Sequence, residues 1–515
     1  MPNANLFAAL RAAFPADLDA IAVETADTPT PLRYSWRDLE RASAMMANLL
    51  ETLALPPASR IAVQVDKSVE ALVLYLAVLR AGHVFLPLNT AYQASEIAYF
   101  VGDAEPAVVV CAGKNFGWVS QIAFQAGTRH VFTLNDDRSG TLLDRAAFQP
   151  DTHTPAQRKA DDLAAILYTS GTTGRSKGAM LSHGNLLSNA QVLKTAWGWI
   201  PGDVLIHALP IFHVHGLFVA SHGALLNGSK MIWFSKFDPK AALARMREAT
   251  VFMGVPTLYV RLLGEAGLNH AATQHMRLFV SGSAPLLLET FSDWQRRTGH
   301  TLLERYGMSE TVMLTSNPYR PEADRRGGTV GFPLPGVGVR VHDERGQALP
   351  AGEIGGIEVR GPNVFQGYWR MPEKTREEFT TDETGAKWFK TGDVGKIDAE
   401  GYITIVGRSK DLIISGGYNV YPAEIEGYIN DMAGVAESAV IGVPHPDFGE
   451  AVVAVVVPRP GATVDGAAVV AALKARIANF KVPKQVHVVA DLPRNTMGKV
   501  QKNLLREQHK GLFPN

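Results

Sequence analysis

A chain of 515 residues is too long for one ordinary domain and calls for two or more. Hydrophobic residues make up 46% of it and charged residues 19%, the balance of a globular enzyme with a large core. Fifty basic residues offset fifty acidic ones, which argues against nucleic acid or a membrane surface as partner.

The N-terminal MPNANLFAALRAAF is mildly amphipathic but soon meets Asp17 and Asp19, so it reads as a plain cytoplasmic start rather than an organellar address. No apolar run is long enough to span a bilayer. Ser68–Ala81 predicts a mostly buried helix, followed by a short strand at Val84–Leu88 and another at Ala107–Val110. The one cysteine, Cys111, lies in the apolar AVVVCAG. It reads as a buried, inert thiol in a reducing compartment.

The run YTSGTTGRSKG (Tyr168–Gly178) follows a predicted buried strand at Leu163–Leu167 and precedes a predicted helix at Ser182–Leu193. Glycines let backbone N–H groups converge on one point, hydroxyls add donors, and Lys177 adds a mobile charge. That combination in a strand–loop–helix context suits a polyphosphate better than a linker, and its spacing is not that of a Walker loop. Further strands are predicted at Val204–Leu209, Met231–Phe234 and Leu278–Ser281. This alternation of strands and helices predicts α/β architecture with largely parallel sheets.

Between these strands, LPIFHVHGL offers His213 and His215, an HxH pair with no third metal ligand in evidence. MGVPTLYVRLL places Arg261 in an otherwise apolar helix, where it either snorkels or pairs with a substrate carboxylate. ERYGMSET puts Glu310 between Ser309 and Thr311, either as a capped helix start or as a carboxylate that holds Mg²⁺ against phosphates. From about Gly327 the glycine-punctuated segments predict a small antiparallel or barrel-like unit. FKTGDVG offers Asp393 as a turn residue or as an acceptor for ribose hydroxyls.

The short polar GRSKD reads as a hinge at residues 408–411, dividing a domain of residues 1–407 from one of 412–515. Within the latter the pattern predicts a strand at Leu412–Ser415, a helix at Pro422–Met432, strands at Ala436–Gly442 and Ala451–Val457, a helix at Ala467–Phe480 and a strand at Val486–Val489. NTMGKVQK near the end carries Lys499, which taken alone reads as a solvated surface charge.

Together YTSGTTGRSKG, YGMSET, TGD, GRSKDLIISGGYNVYPAEIE and PRNTMGKVQK resemble the adenylate-forming superfamily of acyl-CoA synthetases, in its order and at its usual spacings. The resemblance implies a large N-terminal domain of two α/β subdomains and a β-barrel-like subdomain, then a mobile α+β C-terminal domain. It implies that Thr169, Ser170, Gly171, Thr172, Thr173, Gly174 and Lys177 grip the β- and γ-phosphates of ATP. Ser281, Ser283, Ala284 and Pro285, with Glu304, Arg305, Tyr306 and Gly307, would wall the adenine. Ser309, where many relatives have threonine, or Thr311 would touch the α-phosphate, and Glu310 would hold Mg²⁺. Asp393 and Arg408 would bind the ribose, and Lys410 would lie at the hinge. Lys499 would serve adenylation, and Gly416 and Gly417 would line the thiol tunnel after the C-terminal domain rotates.

The chemistry so implied is attack of a carboxylate on the α-phosphate of ATP, release of pyrophosphate, and capture of the acyl-adenylate by the thiol of coenzyme A. Thr169, Glu310 and Lys499 are the expected catalytic set. The acid pocket would include His213, Ser281 and Arg261, the last pairing with a second carboxylate, so that malonate is the expected acid and methylmalonate a further one. A synthetase for another small, medium-chain or aryl acid, or a non-catalytic or carrier-binding member, are the alternatives. Acetylation of Lys499 by a lysine acetyltransferase, reversed by a deacetylase, would remove its charge and switch the enzyme off.

Overall fold

The computed structural model describes residues 2–169, 176–415, 418–495 and 498–513. They form two compact units, one of residues 1–338 with 360–381 and the other of residues 339–359 with 382–515. The hinge expected at 408–411 lies within the second.

Two large sheets build the first unit. In the seven-stranded one the order is Gly367–Tyr368, Gly178–Ser182, Leu163–Tyr168, Val84–Pro87, Arg60–Gln64, Val108–Cys111 and His130–Thr133. The last five run parallel, and Gly178–Ser182 pairs antiparallel with both of its neighbours. The nine-stranded sheet has a parallel centre of Leu303–Met308, Leu278–Ser281, Val251–Gly254, Val204–His207, Lys230–Trp233 and Ile21–Thr25. Antiparallel strands finish both its edges.

The helix predicted at Ser68–Ala81 spans Val69–Arg80, capped by the Ser68 side chain on the Ala71 N–H. Only Glu70 of its residues is not buried, which is why its pattern is apolar all round rather than striped. Each fully buried leucine there contributes about 1.5–3 kcal/mol. Its Tyr75 hydroxyl hydrogen-bonds His222 Nε2 at 2.7 Å, joining this helix to the elements of the nine-stranded sheet. Arg80 is buried too, and its guanidinium donates to Glu40 Oε1, Ser43 Oγ and the carbonyls of Glu40 and His153.

Two expectations change here. YTSGTTGRSKG does not run directly from strand to helix: Gly178–Ser182 forms a strand antiparallel to Leu163–Tyr168, and the helix follows at His183–Ala196, capped by Ser182. The second strand escapes a reading by periodicity because GAMLS is short and merges into the cap. ERYGMSET does not start a helix either; its residues sit in the hairpin of Leu303–Met308 and Val312–Ser316.

In the second unit, Gly338–His342, Gly355–Arg360, Lys387–Ile397 and Ile403–Arg408 lie in one sheet. A further sheet orders Tyr418–Val420, Ile413–Ser415, Gly449–Pro458 and Val435–His445, with Gln485–Val488 parallel to the third of these. Residues 451–456 of Gly449–Pro458 are buried on both faces. Val452, Ala454 and Val456 meet Ile425, Ile429 and Leu473 on one side, while Val453 and Val455 meet Leu492 and Leu505 on the other. The helix expected over Ala467–Phe480 spans only Gly466–Lys474. A separate 3₁₀ turn at Asn479–Lys481 stacks the Phe480 ring on that of Tyr418, their centroids 4.6 Å apart, instead of continuing the helix.

Candidate active site

Ser170, Gly171, Thr172, Thr173 and Gly174 of the phosphate-loop motif lie outside the described residues. The ends of the loop are closed by the hairpin, with Thr169 N–H donating to the Lys177 carbonyl at 2.9 Å. Lys177 Nζ stands 4.5 Å over the Tyr368 ring and 3.7 Å from Glu378 Oε1. Tyr368 is strand-paired opposite Ala179, and its hydroxyl donates to Glu310 Oε1 at 2.9 Å. One aromatic side chain thus touches both the loop lysine and the buried carboxylate. The sequence reading missed it, its only signal being an aromatic in the glycine-rich NVFQGYW.

Glu310 occupies a turn pinned from two sides. Its carbonyl accepts from Phe365 N–H at 2.8 Å, and Asn363 Nδ2 donates to the carbonyls of Thr311 and Met313 at 2.7 and 3.0 Å. Val312, which follows Thr311, is held at φ +54°, a conformation a β-branched residue adopts only when its surroundings impose it. Ser309 and Thr311 flank the carboxylate on this rigid corner.

Ser281 and Glu304 lie opposite each other on paired parallel strands. Burial pushes the Glu304 carboxyl up to about 8, partly offset by a 3.0 Å hydrogen bond from Gly328 N–H. It is therefore largely protonated at neutral pH and able to donate as well as accept. Because the folded state holds this proton more tightly than the unfolded chain, its cost to stability is absent near pH 4.5 and grows as pH rises toward 8. Glu304→Gln is expected to show a melting-temperature advantage over the wild type that widens from pH 5 to pH 8 in a thermal-shift series. A constant offset would contradict it.

Arg305, expected beside the adenine, is turned onto Gly282, Ser283 and His215. Its guanidinium lies so close to Gly282 that a Cβ there would fall 2.4 Å from Cζ, so any other residue would displace it. Arg305 Nη2 donates to Ser283 Oγ at 3.3 Å, and Ser283 Oγ is 3.3 Å from His215 Nδ1. Ser283 itself takes φ +71°. Among the described residues Arg305 Nε, His215 Nε2 and Ser281 Oγ are buried without a hydrogen-bond partner. Burial lowers the Arg305 guanidinium to about 9, and burial with the adjacent Arg305 charge holds His215 well below its ordinary value and hence neutral. Buried polar atoms left without partners call for an explanation, and three of them around one strand end fit a polar ligand.

The other expected acid-pocket residues are placed differently. His213 is half-buried, and its Nδ1 is 3.4 Å from the His215 N–H. Arg261 is not buried as expected. It is exposed on the Pro256–Leu263 helix, 4.9 Å over the Phe237 ring, with Nη2 donating to the Phe237 carbonyl at 3.3 Å.

In the second unit Asp393 and Arg408 are direct cross-strand partners, joined by a 2.8 Å Nε–Oδ1 ion pair. Asp393 is buried and its N–H donates to Thr391 Oγ1 at 3.0 Å. Lys410 follows in a 3₁₀ turn at Ser409–Asp411, where burial and then the Arg408 charge lower its ammonium to about 8. Gly416 and Gly417 lie outside the described residues. Lys499 is held by Asn495, whose side chain accepts the Lys499 N–H at 3.0 Å and whose own N–H donates to the Lys499 carbonyl at 2.9 Å.

Among the described residues no helix is long and apolar enough to cross a membrane. Residues 11–369 match the model of the AMP-binding enzyme family, and residues 424–499 that of the AMP-binding enzyme C-terminal domain. A malonate–CoA ligase of Arabidopsis thaliana is 35% identical over 87% of this chain and 78% of its own. A feruloyl-CoA synthase from an Amycolatopsis species is 34% identical over 93% and 94%. Among solved structures, ATP-bound MatB from Rhodopseudomonas palustris is 55% identical, covering 99% of this chain and all of its own at a TM-score of 0.95.

Proposed function

This chain belongs to the AMP-binding enzyme family, and from that premise we propose that it is an acid–thiol ligase that joins malonate to coenzyme A by way of malonyl-AMP. The observation that carries the choice of acid is the buried Arg305, which has no carboxylate partner among the described residues and has His215, with its unpartnered Nε2, close by. A second carboxylate on the acid supplies the missing charge and acceptors. The malonate–CoA ligase relatives support the same reading.

In the first half-reaction a carboxylate oxygen of malonate attacks the α-phosphorus of ATP. The bond to the bridging oxygen breaks, and pyrophosphate leaves. Thr169 and Lys177, with the loop between them, hold the departing phosphates. Ser309 or Thr311 orients the α-phosphate, Asp393 and Arg408 hold the ribose, and Lys499 offsets charge at the attacked phosphorus. Glu310, a single buried carboxylate, suits Mg²⁺, which takes few protein ligands when phosphate oxygens complete its shell. When bound, Mg²⁺ would neutralise the phosphate charge. In the second half-reaction the sulfur of coenzyme A attacks the malonyl carbonyl and AMP leaves, with Gly416 and Gly417 beside the thiol and Lys410 at the hinge.

The test is a panel of acetate, butyrate, malonate, methylmalonate, succinate and ferulate, with pyrophosphate release and mass detection of the CoA ester. Malonate is expected to lead in kcat/KM by about 10²-fold or more over the monocarboxylates, because they leave Arg305 buried without a partner. A monocarboxylate or ferulate in first place would overturn the assignment. Methylmalonate, differing by one methyl, is expected within about 10- to 200-fold of malonate.

A further inference from the structure

Lys67 is a half-buried cation that the reaction above does not use. It follows the Arg60–Gln64 strand of the seven-stranded sheet, yet its ammonium reaches the end of the Val204–His207 strand of the nine-stranded one. Nζ is 2.9 Å from His207 Nδ1, 2.9 Å from the His207 carbonyl, and 4.3 Å over the Trp233 ring. No salt bridge joins it to a carboxylate among the described residues.

The proton positions around His207 follow from its partners. His207 Nε2 lies 2.9 Å from the Gly216 carbonyl, which can only accept, so Nε2 carries the proton. Nδ1 is then a bare acceptor, and Lys67 is its donor whether charged or neutral. Ser221 Oγ also donates to the Gly216 carbonyl, at 2.9 Å. Gly216 and Ser221 belong to the π-helix His215–Ser221, a wide turn whose geometry is uncommon and needs outside support. The same Gly216 is wedged so tightly that a Cβ would fall 1.9 Å from the Pro210 carbonyl oxygen. His215, the first residue of this turn, is the one facing Ser283 and Arg305.

We propose that Lys67 is a positioning residue for the acid subsite: through the His207 imidazole it fixes the Gly216 carbonyl, and through it the π-turn that presents His215. Burial, which holds the Lys67 ammonium well below its ordinary value, fits a group kept for its N–H donors rather than its charge. The proposal rests on the reading that His215 lines the acid pocket, and it predicts that damage at Lys67 falls on the acid and spares ATP.

The full-length variants Lys67→Met, Lys67→Arg, Ser221→Ala and the Met/Ala double variant test it by steady-state pyrophosphate release. The acid is whichever one the wild type uses fastest in the panel, so failure of the malonate assignment leaves this test intact. Lys67→Met is expected to raise KM for the acid about 10-fold or more while KM for ATP moves less than about 2-fold. Lys67→Arg, which keeps donors, should recover most of the loss. Ser221→Ala should shift the acid KM in the same direction, with the double variant no worse than Lys67→Met alone, because both act through one carbonyl. Equal changes in both KM values, no recovery by arginine, or additive losses would overturn the proposal. If Lys67→Met fails to fold, Lys67→Arg and Ser221→Ala decide it through the same split of KM values.

Discussion

Lys499→Ala is expected to slow malonyl-AMP formation by about 10²- to 10³-fold, the scale of removing one preorganised charge or donor from a transition state. The effect is selective. Adenylation brings a carboxylate up to a triphosphate, so anion meets anion, and a single ammonium at the attacked phosphorus counts fully. Thioester formation from supplied malonyl-AMP involves no such encounter, and its rate is expected to stay within a few-fold of wild type. Measuring pyrophosphate release and, separately, malonyl-CoA from synthetic malonyl-AMP distinguishes the two. Equal loss in both would remove Lys499 from its assigned role. The backbone around Lys499 is closed by Asn495 on both its N–H and its carbonyl, so truncating the side chain leaves the turn in place. Acetylating this lysine removes the same charge and is expected to reproduce the same selectivity.

Arg305→Met is expected to lower kcat/KM for malonate by about 10²- to 10³-fold while leaving that for acetate or butyrate unchanged or improved. Removing one partner of a buried, hydrogen-bonded charge pair costs about 3–5 kcal/mol, mostly because the other charge is left unpaired. The malonate carboxylate would be that stranded charge, and a monocarboxylate has none to strand. Arg261→Met is the control. An exposed guanidinium lying over Phe237 with one long hydrogen bond has water as its alternative partner, so its loss should cost less than about 1 kcal/mol, under 10-fold in kcat/KM. If Arg261→Met proves the acid-selective variant and Arg305→Met a uniform loss, the two assignments exchange places. The same panel of acids answers both.

Which arginine reads the acid shows what the sequence could and could not reveal. Arg261 stands out because its neighbours in VPTLYVRLL are apolar, yet a helix can be apolar on one side and carry an arginine on the other. Arg305 is hidden between Glu304 and Tyr306 in a motif already explained by nucleotide binding. What marks it is the closeness of Gly282, which belongs to a neighbouring strand end and is invisible in one dimension. Lys67 is likewise far in the chain from His207 and Ser221 and meets His207 only because the two sheets share a boundary. By contrast the Val69–Arg80 helix, the Leu278–Ser281 strand and the Pro422–Asn430 helix were legible, since burial on one or all sides writes itself into local pattern. The strand at Gly178–Ser182 was not, because five residues that run straight into a helix cap carry too little pattern of their own.

The Gly449–Pro458 strand, whose middle is dry on both faces, bears on how the chain is made. Ala451–Val457 holds neither charge nor proline nor glycine, the composition of segments that stack with copies of themselves when left bare. One face is partly sheltered by Ile425 and Ile429, which precede it and are already synthesised when it emerges. The other depends on Leu492 and Leu505, which the ribosome has yet to add. During that interval Glu450 and Arg459 are the charges standing guard at its two ends, and they do for the nascent chain what the folded protein never asks of them.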